Sequence, residues 1–309
     1  MTNKLNVLIT GGTGTLGAAL VQTAVSEERP WNITVFSRDH IKQAAMKRMF
    51  PQVHYVLGDV ADYDSVYKTA VAQDLIIHAA AQKHIPAAEE NILDTVRINV
   101  HGSHNVAMAA IMAGVKRVIA VSTDKVCDPS SIYGMTKAMM ERLLIQYANE
   151  YEGICDFAQV RYGNVLGSAG SVLQVWRRQA IDGGPLTITD PEMTRFWLSK
   201  ADAVQLVMNA LRTPTGTVLI PLAPGCSMAQ LANMLYPEMD KVVTGKRPGE
   251  KDHELLLTAD EIGRCEEMGD QLLLTQYPVY TLTSAFGVTG YRSDKPLETL
   301  KASDLWGML

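Results

Sequence analysis

Cysteine is scarce: Cys127, Cys155, Cys226 and Cys265 are scattered, with no CxxC pair and no nearby histidine at ligand spacing. That argues against a disulfide framework and a zinc or other metal site, and it fits reduced thiols in a cytoplasm. No block of Lys or Arg occurs, and 28 basic against 33 acidic residues leave a formal net charge of −5. Binding a nucleic-acid backbone or an anionic membrane is therefore not the expected task, and any bound anion needs a local site. Low-complexity tracts, heptad runs and internal repeats are missing too, which sets aside disorder, collagen and long coiled coil. The charge-free stretch Leu5–Ser26 carries Gly11-Gly12-Thr13-Gly14-Thr15 within it. Glycines there would break a membrane-spanning helix, and the stretch has neither the basic start nor the small-residue cleavage pattern of a signal peptide.

What is present is apolar residue, 47% of 309, enough for one large or two ordinary domains around a sizeable core. Short apolar runs at Lys4–Thr10, Asn32–Phe36, Val53–Leu57, Leu75–His78, Arg117–Val121 and Phe157–Arg161 read as strands. Helix-length segments separate them: Ala18–Ser26, about Ile41–Met49, Ser65–Ala72, Glu89–Gly114 and Tyr133–Tyr151. Strands spelled as continuous apolar runs are those buried on both faces by crossover helices, so the fold class is α/β, a doubly wound parallel sheet of the Rossmann type. Its ligands are expected at the carboxyl ends of the strands. After about residue 166 glycine and proline divide the chain into shorter pieces. The predicted organisation is a cofactor-binding domain over 1–165 with a return segment over 195–222. A smaller, interleaved substrate-binding domain takes 166–194 and 223–309.

Gly11, Gly14 and Gly17 are three apart, between the first strand and the first helix. That placement lets the backbone of Gly11, Thr13, Gly14, Thr15, Leu16 and Gly17 approach a pyrophosphate at a helix N-terminus. An NAD site usually ends its second strand with an acid for the ribose hydroxyls, whereas an NADP site places Arg and small polar residues there. Here the strand ends Phe36-Ser37-Arg38. Ser37, Arg38 and Lys42 suit a 2′-phosphate and favour NADP; Asp39, one residue on, suits a ribose and keeps NAD as the alternative. Asp59 and Val60 are placed to frame the adenine, and Ala79 and Ala80 to line the cofactor path, although small residues in a plain turn account for the alanines equally well.

Tyr133 and Lys137 lie four apart at a helix start, so their side chains share a face. A lysine ammonium beside a phenol lowers its pKa, and the phenol can then remove a hydroxyl proton while hydride leaves the same carbon. After a phosphate turn and a strand ending Ser122-Thr123-Asp124-Lys125, this pair is the signature of the extended short-chain dehydrogenases/reductases, with Thr123 completing the hydroxyl-polarising group.

More narrowly, the chain resembles the soluble UDP-N-acetylglucosamine 4,6-dehydratases that invert C5, best known from pseudaminic acid biosynthesis. The resemblance spans nearly the whole sequence. It rests on TGGTGTLG at Thr10–Gly17, SRD at Ser37–Asp39, HAAAQKHIP at His78–Pro86, STDK at Ser122–Lys125 and YGMTK at Tyr133–Lys137. RYGNVLGSAGSV at Arg161–Val172, TDPEMTRFWLS at Thr189–Ser199 and RPGEKDHE at Arg247–Glu254 complete it. The resemblance implies a UDP-sugar substrate, NADP recycled within one turnover, and a homo-oligomer, dimer or larger. It gives Lys125 a role at C5 and Asp124 one at C6, in an elimination that begins once C4 is a ketone. It also implies that Asn164, Arg195 and Arg247 contact substrate, two guanidinium groups suiting a diphosphate, while Glu250 accepts from uridine ribose hydroxyls. Lys83 lies where it would touch cofactor or sugar, and Val165 where it would line the cofactor. The chain departs from the family at Cys127–Ser131 and at Met135. A UDP-sugar 4-epimerase, a C5-retaining dehydratase and an NADP-binding regulatory protein are the competing readings; the Asp124-Lys125 pair argues against an epimerase, and the intact Thr123, Tyr133 and Lys137 set against a regulatory protein.

Overall fold

The computed structural model describes residues 4–279 and 289–308; positions 1–3, 280–288 and 309 of the predicted domain ranges lie outside the described residues. The first half alternates strand and helix as apolar runs and caps dictate. Strand β1 (Leu5–Thr10) is followed by α1 (Thr15–Ser26), β2 (Trp31–Ser37), α2 (His40–Met49), β3 (His54–Leu57), α3 (Tyr63–Ala70) and β4 (Leu75–His78). Asp39 and Asp62 cap α2 and α3 by accepting hydrogen bonds from the backbone amides of Lys42 and Ser65.

The segment predicted as one helix over Glu89–Gly114 is broken. It comprises α4 (Ile85–Glu90), α5 (Ile92–Val96), a π-helical turn (Arg97–His101) and α6 (Gly102–Ala113). The π turn places buried Asn99, whose amide bonds the backbone N–H and C=O of Gln82 at 2.8 and 3.0 Å and the Thr136 hydroxyl at 3.0 Å. Those tertiary bonds hold the loop after β4 against α7 (Ile132–Glu150), which follows β5 (Arg117–Val121). Helical propensity alone does not register them. Beyond α7 come β6 (Asp156–Val160), β7 (Asn164–Val165), α8 (Val172–Ile181), β8 (Leu186–Ile188), β9 (Thr194–Leu198), α9 (Lys200–Ala210) and β10 (Thr217–Pro221). The rest is β11 (Gly225–Ser227), α10 (Met228–Leu235), β12 (Lys241–Val243), β13 (Leu255–Leu257), β14 (Cys265–Met268), β15 (Gln271–Leu274), β16 (Tyr291–Arg292) and α11 (Ala302–Met308).

The large sheet has nine strands in the order β14-β15-β10-β6-β5-β4-β1-β2-β3. Pairings from β3 across to β10 are parallel, and β15 and β14 close that edge antiparallel. Residues 265–274, which the sequence reading assigns to the smaller unit, thus extend the large sheet as a hairpin. Apolar layers cover both faces. Val7, Ile9, Val35 and Ile77 pack with α1 and α9 on one side, and Leu8, Ile76, Val118 and Ala120 with α6 and α7 on the other. Each fully buried large aliphatic contributes ~1.5–3 kcal/mol. A third cluster, including Trp176, Met193, Trp197 and Leu231, forms the core beneath α8 and α10. Strand order reverses between β1 and β4, which opens a crevice at the carboxyl ends of the strands.

Arg161, 2% exposed, fastens the end of β6 to its surroundings. Its guanidinium pairs with Glu141 of α7 at 2.6 Å and with Glu261 at 2.8 Å, and donates to the Leu256 carbonyl at 3.1 Å. Breaking a buried pair of this kind typically costs about 3–5 kcal/mol, because the remaining charge is left without a partner. Glu141 also accepts from the Ser122 hydroxyl, so the same network braces the strand end that carries Thr123, Asp124 and Lys125.

Candidate active site

The crevice is a cleft of about 1310 Å³ running from the β1–α1 turn to the loops after β8 and β12. At one end, Gly11 has φ +66°, and a Cβ there would lie 2.7 Å from the Ala80 Cα; one on Gly17 would lie 2.5 Å from the Gly12 Cα. Only glycine permits this approach of backbone to backbone. The N-terminus of α1 has no side-chain cap and no acid in its first turn, so its amides face the cleft as an anion site. Thr13, Gly14, Thr15, Leu16 and Gly17 line it there, and Ala79, Ala80, Lys83 and Val165 line it further along. Burial lowers the pKa of the Lys83 ammonium. The donor set, with its uncapped amides and tight glycine cradle, fits the pyrophosphate of a dinucleotide.

Beyond the end of β2, Ser37 is buried and its hydroxyl accepts from Gln43 at 3.0 Å. Arg38 is half-exposed and lies 3.6 Å from Asp59, whose same carboxylate oxygen is 3.3 Å from Arg97. Asp59 and Val60 line the cleft together with Lys42, whose ammonium is 3.2 Å from Asp39. Asp39 accepts from the Lys42 backbone amide as the cap of α2, and that bond holds its carboxyl below the usual range. Its carboxylate is thus engaged within the protein.

The strand end of β5 and the first turn of α7 form the middle of the cleft. Thr123 donates to Asp124 at 2.9 Å, and the Lys125 ammonium reaches the same Asp124 oxygen at 2.9 Å. Asp124 is completely buried. Thr123, Lys125, Tyr133 and Lys137 line the cleft, and Asp124 stands immediately behind the first two. Among the described residues its second carboxylate oxygen has no hydrogen-bond partner. Burial raises the pKa of Asp124, Lys125 opposes this, and Glu254 adds to it. Burial depresses the Lys125 ammonium, but Asp124 and Glu254 outweigh it and hold it above the ordinary lysine range.

Sequence reasoning expects Lys137 to act on the Tyr133 phenol. In the structure the arrangement differs: burial pushes Tyr133 up to about 12, and the groups opposing this are Lys125 and a hydrogen bond with Thr123. The Lys137 ammonium lies against the Met140 sulfur one turn further along its helix. Burial brings it down to about 7, against the pull of Glu141.

The far end of the cleft comes from the second half of the chain. The Asn164 carbonyl oxygen is buried without a partner among the described residues. Arg195, 8% exposed, donates to the Thr194 and Asp252 carbonyls at 2.7 and 3.3 Å. Arg247 and Glu250, expected to meet different parts of a substrate, meet each other: Arg247 Nε is 2.9 Å from Glu250, whose carboxylate also accepts from the Arg247 amide at 3.0 Å. Two cleft residues escape the sequence reading. Lys246 is 3.0 Å from Asp190 and also pairs with Asp252, and Glu254 approaches Lys125 at 3.3 Å. Both flank or lie in RPGEKDHE, but only the fold brings them to the cleft.

The polysaccharide biosynthesis protein family matches residues 7–276. The chain belongs to this family. A UDP-N-acetylglucosamine 4,6-dehydratase (inverting) of Campylobacter jejuni is 40% identical over 267 residues, 84% of this chain and 80% of the relative. A UDP-glucose 4-epimerase of Rickettsia canadensis is 35% identical over 275 residues, 85% of this chain and 81% of that protein. Among solved structures, Pen from Bacillus thuringiensis superimposes with a TM-score of 0.90 at 30% identity, covering 99% of this chain and 97% of its own. The dTDP-glucose 4,6-dehydratase DesIV of Streptomyces venezuelae, solved with NAD bound, shares the fold at a TM-score of 0.71 and 22% identity, covering 80% and 86%. Among the described residues no helix is long and apolar enough to cross a membrane.

Proposed function

We propose that this chain is an NADP-dependent nucleotide-sugar 4,6-dehydratase, a hydro-lyase that converts UDP-N-acetylglucosamine to a 4-keto-6-deoxy sugar with inversion at C5. The observation that carries the reading is the buried Asp124–Lys125 pair, joined at 2.9 Å and adjoining Tyr133 in the cleft. Oxidation and reduction at C4 alone, as in epimerisation, need no such acid/base pair. Elimination does. The identity to the Campylobacter dehydratase supports the same reading.

A nicotinamide cofactor held by the Gly11–Gly17 turn and by Arg38 would supply a hydride acceptor for C4 and a hydride donor for C6, so no external reductant would be consumed. Tyr133 accepts the C4 hydroxyl proton, with Thr123 polarising that hydroxyl. The ketone at C4 acidifies the C5 hydrogen. The acidic proton of Asp124 goes to the departing C6 oxygen, the carboxylate so formed takes a proton from the Lys125 ammonium along their hydrogen bond, and the amine lone pair this frees takes the C5 proton. A proton arriving at C5 from the opposite face inverts it. Arg195 and Arg247 bind the diphosphate, Asn164 the sugar, and Glu250 the uridine ribose; Arg247 and Glu250 must part for this. The enzyme works in the cytoplasm as a homo-oligomer, a dimer or larger.

Purified protein incubated with UDP-N-acetylglucosamine should yield a product lighter by one water in mass spectrometry. A product of unchanged mass but altered C4 configuration would favour the second reading, a UDP-sugar 4-epimerase, which the Rickettsia relative keeps in view.

NADP is preferred to NAD because two cations, Arg38 and Lys42, stand at the cleft edge beside Asp39, whose carboxylate caps α2, and a 2′-phosphate would pair with both. In titrations of cofactor-stripped protein NADP should bind more tightly. Arg38→Ala should weaken NADP roughly tenfold, as for the loss of a charge-assisted hydrogen bond of ~1.5 kcal/mol, and leave NAD nearly unchanged. Equal affinities that Arg38→Ala leaves equal would reverse the assignment.

A further inference from the structure

Glu254 is 2% exposed, lies on the stretch just before β13, and lines the same cleft as Lys125 and Tyr133. Its carboxylate is 3.3 Å from the Lys125 ammonium, 3.6 Å from Lys251 and 3.9 Å from Arg195. The Ser293 hydroxyl, bonded to the Glu254 backbone amide at 2.9 Å, fixes the chain at this point. Lys125 is therefore shared between two buried carboxylates, Asp124 on one side and Glu254 on the other. An acid so deeply buried is retained at a cost unless its charge is matched. Here three cations match it.

We infer that Glu254 is a positioning residue for the elimination step: it holds the Lys125 ammonium between the two carboxyl groups and draws part of its charge away from Asp124, the proton donor to C6. The inference rests on the dehydratase reading above. The ionisable groups facing the cluster are Asp124 and Lys125 from the strand end, Tyr133 from α7, Arg195 from β9, and Lys251 with Glu254. Burial raises Glu254, but Lys125, Arg195 and Lys251 together outweigh it and keep it ionised. An ionised Glu254 next to the pair opposes a second negative charge on Asp124, already disfavoured by burial. Glu254 thus raises the proton affinity of Asp124, the group that must hand a proton to C6. As the C6–O bond breaks, that proton leaves with the oxygen as water. The Asp124 carboxylate left behind takes a proton from the Lys125 ammonium, the freed amine takes the C5 proton, and the C5–H electron pair becomes the C5–C6 double bond. Without Glu254 the ammonium has Asp124 alone to neutralise, Asp124 ionises at lower pH, and the donor at C6 is lost while C4 oxidation proceeds.

The test is Glu254→Gln, which keeps shape and hydrogen-bonding capacity but removes the charge. With NADP and UDP-N-acetylglucosamine, the variant should oxidise C4 and accumulate reduced-nicotinamide absorbance that the wild type does not accumulate. Water loss should slow by at least tenfold. The alkaline limb of its kcat profile should move to lower pH, because the acid form of Asp124 is lost earlier as pH rises. Glu254→Asp, which restores the charge, should bring the limb back. Water loss at the wild-type rate with an unmoved limb overturns the inference, and so does a parallel loss of C4 oxidation, which marks a packing role only. If Glu254→Gln does not fold, Glu254→Asp decides alone: a limb displaced despite the retained charge overturns it. A wild-type protein that removes no water overturns the dehydratase reading itself, a result distinct from any of these.

Discussion

Tyr133→Phe protein, loaded with NADP and given UDP-N-acetylglucosamine, is expected to show no reduced-nicotinamide absorbance and to lose turnover by at least the ~10²–10⁴-fold typical of removing a positioned proton acceptor. The reason lies in the order of events. Nothing can be eliminated until C4 is a ketone, and hydride leaves C4 only as the hydroxyl proton is taken. Tyr133 carries the hydroxyl suited to that task, with Thr123 in hydrogen-bond contact and Lys125 near enough to lower its pKa. The glycine turn, Arg38 and Lys137 are untouched by the substitution, so NADP should bind as before, which a titration of the variant checks. Removal of one hydroxyl from the half-buried Tyr133 should leave the fold standing, since Arg161, Glu141 and Ser122 brace the strand end independently of it. Retained turnover would assign the proton transfer to another group.

The phosphate turn could be read from the sequence because its physics is local. Three glycines at fixed spacing between an apolar run and a helix have one economical use, and the structure puts Gly11 and Gly17 where a side chain would collide with backbone. The parallel sheet was readable for the same reason, its strands announcing themselves as short, mostly apolar runs. What escaped depends on contacts far apart in the chain. The break in the helix over 85–113 follows from Asn99 bonding Gln82 and Thr136, a choice invisible to helical periodicity. Residues 265–274 join the large sheet through pairing with β10, about fifty residues earlier. Glu254 looks like any charged residue in a polar loop until β13 carries it beneath Lys125. The link between Tyr133 and Lys137 depends on more than spacing. Four residues give a shared helix face, and along that face the lysine here reaches the Met140 sulfur. Catalytic contacts of this kind commonly tighten only when the ligands are in place.

Lys125→Ala and Asp124→Asn should separate oxidation from elimination, because the proton transfers assigned to both begin only after C4 has become a ketone. Lys125→Ala is expected to oxidise C4, more slowly because Tyr133 loses the ammonium that lowers its pKa, and to stall there, with the C5 hydrogen of the bound sugar retained in D2O. Asp124→Asn should slow departure of the C6 hydroxyl by ~10²–10⁴-fold. The two losses should not multiply in the double variant, since the residues act as one unit joined by a 2.9 Å hydrogen bond. In D2O the wild type should place solvent deuterium at C5 and give the inverted 4-keto product, while the hydrogen moved from C4 to C6 stays substrate-derived, because it never passes through water. Lys125→Ala protein that exchanges the C5 hydrogen at the wild-type rate would move the C5 role to another group. A wild-type product with the starting C5 configuration would make the retaining dehydratases the better description, because inversion requires that the proton lost from one face of C5 be replaced from the other.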